Sequence, residues 1–116
     1  MMKPTTALLF FCLAVPAQAQ STKIVGIGAS TCARFNQEIA EKPAVERDYV
    51  AWAQGFMSGA LMRASPGVDE GLDLDPPSLP LNAQADFLKA FCTKDPDQDY
   101  MGAVHALYRR LRGPGL

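Results

Sequence analysis

The sequence predicts a small all-α domain, a single bundle of three to four helices with one disulfide. Apolar residues recur at helical spacing in four stretches of the chain, and glycine- and proline-rich segments separate those stretches. An even pair of cysteines, Cys32 and Cys92, remains once an N-terminal leader is removed. The roughly 97 residues that follow the leader are enough for one domain.

Residues 1–19 have the features of a secretory signal peptide that is removed from the mature chain. Lys3 gives a positive start, residues 7–15 form an apolar run, and residues 17–19 are an A-x-A cleavage site. The apolar run is too short to span a bilayer. We therefore expect cleavage after Ala19 and export from the reducing cytosol.

Export changes how the cysteines are interpreted. Cys12 leaves with the leader, and bulky phenylalanines stand where a lipidated cysteine needs a small residue before it. The remaining pair, Cys32 and Cys92, is expected to form a disulfide closing a loop of about sixty residues, worth roughly 4 kcal/mol in the chain-entropy account. A thiol nucleophile or a metal site fits less well, because the chain has one histidine, His105, and no C-x-x-C motif.

The charge balance excludes two classes of partner. Without Lys3 the chain has ten Lys and Arg against twelve Asp and Glu, a net charge near −2. This is neither the basic balance of a nucleic-acid-binding domain nor a polybasic membrane-binding patch. No apolar stretch after the leader reaches the length of a membrane span. We expect neither nucleic acid nor a membrane among the partners.

The first helix follows a short N-terminal segment. Residues 20–30 are expected to be extended, and a helical domain is expected over 31–112. Ser30 or Thr31 is placed to cap a first helix of about 31–41. The apolar face of this helix consists of Cys32, Phe35 and Ile39.

The second predicted helix, about 43–64, is the longest. Pro43 occupies its first position, where a missing N–H costs nothing. Gly55 and Gly59 share one face, and we expect them to allow close packing of another backbone within the domain. The core stripe of this helix consists of Val45, Tyr49, Trp52, Phe56 and Ala60, widened by Ala53, Met57 and Leu61.

A Pro- and Asp-rich loop is predicted over residues 65–81. Its prolines and glycines exclude regular structure. It lacks the glycine and the terminal glutamate of an EF-hand, so we expect its acids to be solvated and to bind no metal. Long loops in small domains are often functional. The acids of this loop are Asp69, Glu70, Asp73 and Asp75.

Two further helices complete the predicted bundle. Asn82 is placed to cap a third helix of about 83–93. Asp95 is placed to cap the fourth, with Pro96 at its first position and Gln98 completing a capping box. The predicted buried residues are Phe87, Leu88, Phe91 and Cys92 on the third helix and Tyr100, Met101, Val104, Leu107, Tyr108 and Leu111 on the fourth.

No catalytic motif is present in the sequence. It lacks G-x-S-x-G, H-E-x-x-H and a phosphate-binding loop, and Gly26-x-Gly28 is too short for a dinucleotide fingerprint. His105 has no second histidine or activated nucleophile as a partner. We predict no enzyme activity and no cofactor. A small ligand held between the helices stays an alternative, although nothing polar in the apolar stripes marks a pocket.

The order of the motifs resembles that of a known family. Cys32-x-x-Phe35 begins a helix, a Trp-containing helix follows, and the stretch Phe91-Cys92-Thr93-Lys94-Asp95-Pro96 leads to the last one. Over about residues 30–111 this is similar to the HdeA/HdeB family of periplasmic acid-stress proteins. The resemblance implies a periplasmic chaperone that loosens at low pH and binds unfolding clients, and it makes a homodimer a candidate assembly. It makes Trp52, Phe56, Phe87 and Phe91 candidates for the client-binding or dimer surface.

The second predicted helix also resembles a different group. Its Gly-aromatic-x-x-Gly pattern, at residues 55–59, is similar to that of exported immunity proteins of the Rap/Tai type, which block type VI secretion effectors. Both families share size, compartment, helices and a disulfide, so this motif does not decide between them. The alternative to a chaperone is therefore an immunity protein whose acidic loop, residues 69–75, enters a basic cleft of the effector.

The charges give a separate physical reason to expect loosening in acid. Below about pH 3 most of the carboxylates are protonated, and roughly ten positive charges remain with little to balance them. Their repulsion loosens the chain, whereas a disulfide does not respond to protons. We therefore expect a non-enzymatic protein-binding protein, with acid-stress chaperoning as its leading function.

Overall fold

Four α-helices form the domain in the computed structural model, which describes residues 2–4 and 23–113. The apolar run and the cleavage site of the predicted signal peptide lie outside these residues. No strand and no helix long and apolar enough to cross a membrane occurs in the described part of the chain. The predicted small all-α class is confirmed. The helices are α1 (Cys32–Glu41), α2 (Glu46–Arg63), α3 (Leu81–Lys94) and α4 (Tyr100–Arg112).

The start of α1 lies where the sequence predicts it. Thr31 is the N-cap, and its Oγ1 accepts a hydrogen bond of 3.1 Å from the backbone N–H of Arg34. The segment before it is not fully extended, because Ile27–Ala29 form a short 3-10 helix. Gly26, with φ of 80°, turns the chain into that helix and so directs this segment toward α2.

The second helix begins later than the sequence predicts. Pro43–Val45 form a 3-10 turn, and the α-helix starts only at Glu46. The predicted core stripe is also displaced around the helix. The fully buried residues are Tyr49, Ala53 and Met57, whereas Trp52, Phe56 and Ala60 are half-buried beside them.

The two glycines of α2 do not pack against another helix. Gly55 and Gly59 are exposed, and a Cβ added at either would meet nothing within 4 Å beyond the helix's own nearby backbone. The predicted close packing at these positions is therefore wrong within the described domain. The buried face of α2 is formed by side chains on the other side of the helix.

The predicted cap of α3 is wrong by two residues. The helix begins at Leu81, with Pro80 as its N-cap, so Asn82 lies inside the first turn. Pro80 has the extended backbone of an N-cap residue but no side-chain acceptor. The backbone N–H of Gln84 donates a hydrogen bond of 2.9 Å to the carbonyl of Pro80, which closes the first turn.

The last helix begins at Tyr100, not at Pro96 as the capping pattern predicts. Residues 95–98 form a turn whose carbonyl groups accept hydrogen bonds from the start of α1. The N–H of Cys32 bonds the carbonyl of Gln98 at 2.8 Å, and the N–H of Ala33 bonds that of Pro96 at 3.1 Å. This turn therefore satisfies free amides of α1 instead of opening α4.

The disulfide lies in the hydrophobic core and confirms the predicted pair. Cys32 of α1 and Cys92 of α3 have Cα atoms 4.8 Å apart, and both side chains are fully buried. In the same core the rings of Phe35, Tyr49 and Tyr100 pack against one another, with centroids 4.7–5.0 Å apart. These groups join α1, α2, α3 and α4, and none of them changes its charge in acid.

Candidate functional site

The four aromatic residues predicted to bind a partner are divided between α2 and α3. Trp52 and Phe56 stack on α2 with centroids 5.6 Å apart, and Phe56 meets the edge-on ring of His105 at 5.5 Å. Phe87 and Phe91 lie on α3, and no ring contact among the described residues joins them to the first pair. All four side chains are half-buried and pack against the core, so a partner would reach only part of each.

The N-terminal segment covers the indole of Trp52. A Cβ placed on Gly28 would overlap the six-membered ring of Trp52, and Gly26 lies close to its indole nitrogen. Only the absence of a side chain at Gly28 lets this segment lie flat on the ring. The Gly-x-Gly spacing at 26–28, too short for a nucleotide fingerprint, is the sequence signal of this contact.

The first half of the loop between α2 and α3 is held by a charged contact, which we call the Asp69 latch (Asp69, Tyr108 and Arg112). The Asp69 side chain is only 6% exposed and accepts hydrogen bonds from Arg112 Nη2 and, at 2.8 Å, from Tyr108 Oη. The guanidinium of Arg112 also lies 4.6 Å above the Tyr108 ring.

Asp69 therefore differs from the solvated acid that the sequence predicts. The hydrogen bond from Arg112, and after it the bond from Tyr108, lowers the pKa of the Asp69 carboxyl below its ordinary value. The backbone of Asp69 has φ of 56°, a conformation that aspartate tolerates better than most residues. Its partners are 39 and 43 residues away in the sequence, so no local pattern could have identified them.

The second half of the same loop is held by neutral amides, which we call the Gln84 clamp (Gln54 and Gln84). Gln84 is fully buried, and its Nε2 donates to the carbonyl of Leu74 at 2.8 Å and to that of Leu79 at 2.9 Å. Its Oε1 accepts a hydrogen bond from Gln54. Because amide side chains do not titrate in acid, this contact is independent of pH.

A second carboxylate connects α1 to the core. The Glu38 carboxylate accepts hydrogen bonds from the buried Tyr49 Oη and, at 2.7 Å, from Arg34 Nε. Tyr49 first, and Arg34 after it, lower the pKa of Glu38 below its ordinary value. The Tyr49 hydroxyl also lies 3.1 Å from Ser30 Oγ, so the contact extends to the segment before α1.

A groove of about 660 Å³ lies between α2 and α3. Its lining is mainly apolar, and Leu81, one of the lining residues, is 43% exposed. Of the charged residues at the groove, Glu46 is bound by Lys89 Nζ at 3.0 Å. The apolar lining residues are Pro43, Val50, Ala51, Leu81 and Ala85, and an aliphatic side chain of a partner fits such a lining.

Residues 2–4 and 23–113 contain no group of three or more His, Cys, Asp or Glu side chains that could hold a metal ion. Comparisons with protein-family models, with curated proteins and with solved structures give no match to this chain. The resemblances to the HdeA/HdeB and Rap/Tai families therefore rest on the sequence motifs alone.

Proposed function

We propose that this chain is an exported, non-enzymatic protein-binding protein that loosens in acid and then holds unfolding clients, as the HdeA/HdeB resemblance implies. The observation that supports the proposal is that the contacts sensitive to protons hold the loop and α1, whereas the core is held by groups that do not titrate in acid. The disulfide and the aromatic core keep their charge state in acid. Asp69 and Glu38, which connect the loop and α1 to the rest of the domain, are carboxylates that acid neutralises.

The pH range of the loosening follows from these two carboxylates. Their pKa values lie below the ordinary 3.8 of Asp69 and 4.5 of Glu38 in the folded chain, so their contacts stabilise the fold above those ordinary values. This stabilisation is lost as the pH falls through the lowered values. We expect a folded protein at pH 5 and a loosened one only below about pH 4.

The net charge acts in the same direction. Once most carboxylates are neutral, the Lys and Arg side chains repel one another and favour an expanded chain. The Cys32–Cys92 bond limits that expansion, because it keeps α1 joined to α3. A loosened chain of this kind exposes core side chains without separating its helices fully, which is the property that a client-binding protein needs.

The test uses the oxidised chain without its predicted signal peptide, studied from pH 7 to pH 2. Near-ultraviolet circular dichroism follows the packing of the core, sedimentation follows size, and light scattering follows aggregation of an acid-unfolding test protein. We expect a reversible loss of the near-ultraviolet signal below about pH 4 and protection of the test protein only in that range. A chain that stays packed at pH 2, or that protects nothing, contradicts the proposal.

A partner-specific inhibitor, as the Rap/Tai resemblance implies, is the second candidate. The observation that favours it is that both halves of the loop are held at neutral pH, by the Asp69 latch and the Gln84 clamp. The exposed acids of the loop are therefore presented on a preformed backbone, and the Asp73 carboxylate accepts a bond of 2.8 Å from the N–H of Asp75. A basic cleft of an effector is the complementary surface.

This candidate is tested at neutral pH against the product of an effector gene adjacent to the gene of this chain. The double substitution Asp73→Asn and Asp75→Asn is expected to slow association and to weaken its dependence on salt. The same variant retains acid-dependent client protection if the chaperone proposal is right. If the double variant binds the effector as fast and as tightly as the wild type does, the acidic loop is excluded as the contact.

A further inference from the structure

The two halves of the loop are attached by different chemistry. Within the described residues, the hydrogen bonds of Asp69 are the only ones that join residues 65–71 to a helix. Residues 72–80 are instead joined to α2 and α3 by the Gln84 clamp. We propose that residues 65–71 form an acid-released flap, while residues 72–80 stay attached to the domain and act as its base.

Apolar packing supports the same division of the loop. Three leucines of the loop pack against the core, and all three belong to its second half: Leu72, Leu74 and Leu79. In the first half, Val68 is 49% exposed and is not among the residues packed against the core. An open cavity of about 400 Å³ is lined by residues 65–72 together with Leu61 and Ala64, so part of this half of the loop faces open space. The Asp69 latch thus supplies most of what holds residues 65–71 in place.

The surroundings of Asp69 explain why its protonation releases the flap. Arg112 and Tyr108 of α4 contact its carboxylate, and the apolar Leu61 of α2 and Ala64, the C-cap of that helix, line the same cavity as Asp69. On the loop itself Glu70 is the acid beside this site. A neutral carboxyl loses its ion pair with the guanidinium and becomes a much weaker acceptor.

The latch also leaves a polar atom without a partner. The Nε of Arg112 is buried and makes no hydrogen bond among the described residues. Burial of such a donor is unfavourable, and the ion pair with Asp69 offsets this cost only while the carboxylate is charged. Once Asp69 is neutral, movement of the guanidinium into water satisfies its donors, which favours the open position of the flap.

Release of the flap gives the proposed chaperone its first apolar surface. Tyr108 is 8% exposed beneath the latch, and Leu61 borders the cavity. Met62, the next residue of α2, is 88% exposed. The role of the surface in client binding depends on the proposed function, but the flap can be tested without any client.

The test is hydrogen exchange of the full oxidised chain, measured by mass spectrometry and corrected for intrinsic rates. Asp69→Asn reproduces the neutral side chain at pH 7. It is expected to raise exchange several-fold in residues 65–72, where the N–H groups of Val68 and Leu72 bond the carbonyls of Ser65 and Asp69, and to leave residues 73–80 unchanged. The matched control is Glu70→Gln, which makes the same charge change on the neighbouring exposed residue and should leave both halves as in the wild type.

The wild-type protein provides a second measurement that needs no variant. On acidification to below about pH 4, the amides of residues 65–72 should lose protection before those of residues 73–80 do. Simultaneous opening of both segments, or an Asp69→Asn chain that exchanges as slowly as the wild type at residues 65–72, overturns the flap.

The outcomes separate the flap from the proposed function. If residues 65–71 open as expected but no test protein is protected in acid, the flap stands and the chaperone proposal fails. If a test protein is protected while residues 65–71 stay closed, the flap is overturned and the client-binding surface lies elsewhere.

Discussion

At Gly28 a missing side chain decides where the N-terminal segment lies. Gly28→Ala places a methyl group in the volume of the Trp52 ring, so either the ring or the segment has to move. We expect the free energy of unfolding to fall by about 1–3 kcal/mol, the usual cost of overpacking. Urea denaturation followed by circular dichroism measures this change.

Gly59→Ala is the matched control for that substitution. Gly59 lies on the exposed face of α2 with open space around it, so the same added methyl group meets nothing. Alanine is the better helix former by up to about 1 kcal/mol, and this variant should therefore be as stable as the wild type or more stable. Equal destabilisation by both substitutions would show that Gly28 does not lie on Trp52.

The hydroxyl of Tyr100 is a second residue-scale contact that can be tested. It donates a hydrogen bond of 2.7 Å to the backbone carbonyl of Tyr49 in the core, where burial raises the pKa of Tyr100. Tyr100→Phe removes this bond, and we expect a loss of about 1 kcal/mol in unfolding free energy. The loss should be the same at pH 7 and pH 5, because neither group titrates in that range.

At the scale of the helices, the caps provide a direct comparison. Thr31 caps α1 through its Oγ1, so Thr31→Ala should lower the free energy of unfolding by about 1 kcal/mol. Asn82 has the sequence context of a cap but lies inside α3, so Asn82→Ala should change stability by less than about 0.5 kcal/mol. Thermal or urea denaturation of both variants tests which of the two residues caps a helix. A loss of about 1 kcal/mol for Asn82→Ala would contradict the assignment of Asn82 to the first turn of α3.

The helices could be predicted because their apolar residues repeat locally, but several of their ends could not. The Asp95-Pro96 pattern fits a helix start, yet the carbonyl of Pro96 bonds an amide of α1 more than sixty residues earlier in the chain. The displaced core stripe of α2 has a similar cause, because contact with the N-terminal segment covers Trp52 from outside the core. Local spacing contains no information on these distant partners.

Dependence on partners that are distant in the sequence also explains why the sequence did not predict the roles of Asp69 and Gln84. The acidic composition of the loop was visible, but the burial of Asp69 depends on Arg112 at the far end of α4. Nothing in the sequence indicates that Gln84 is buried, since a glutamine in an amphipathic stretch normally occupies an exposed position. By contrast, the disulfide could be predicted from the cysteine count and the predicted signal peptide, without any knowledge of geometry.

At the scale of the whole molecule, the disulfide is expected to make a large contribution to stability. It closes a loop with a sequence separation of 60, and its loss should lower the free energy of unfolding by about 4 kcal/mol. The double substitution Cys32→Ala and Cys92→Ala tests this by urea denaturation. In acid, sedimentation should show this variant to be more expanded than the oxidised protein, and equal sizes would contradict a role in limiting expansion.

The position of Trp52 determines what an optical titration of this protein reports. It is the only tryptophan, and residues 26–28 shield its indole from water. A red shift of its emission in acid would therefore signal departure of the N-terminal segment, even with the core intact. Tyr108, which lies at the latch, contributes to tyrosine absorbance together with Tyr49 and Tyr100 of the core. An emission curve alone would therefore leave the opening of the loop unseen.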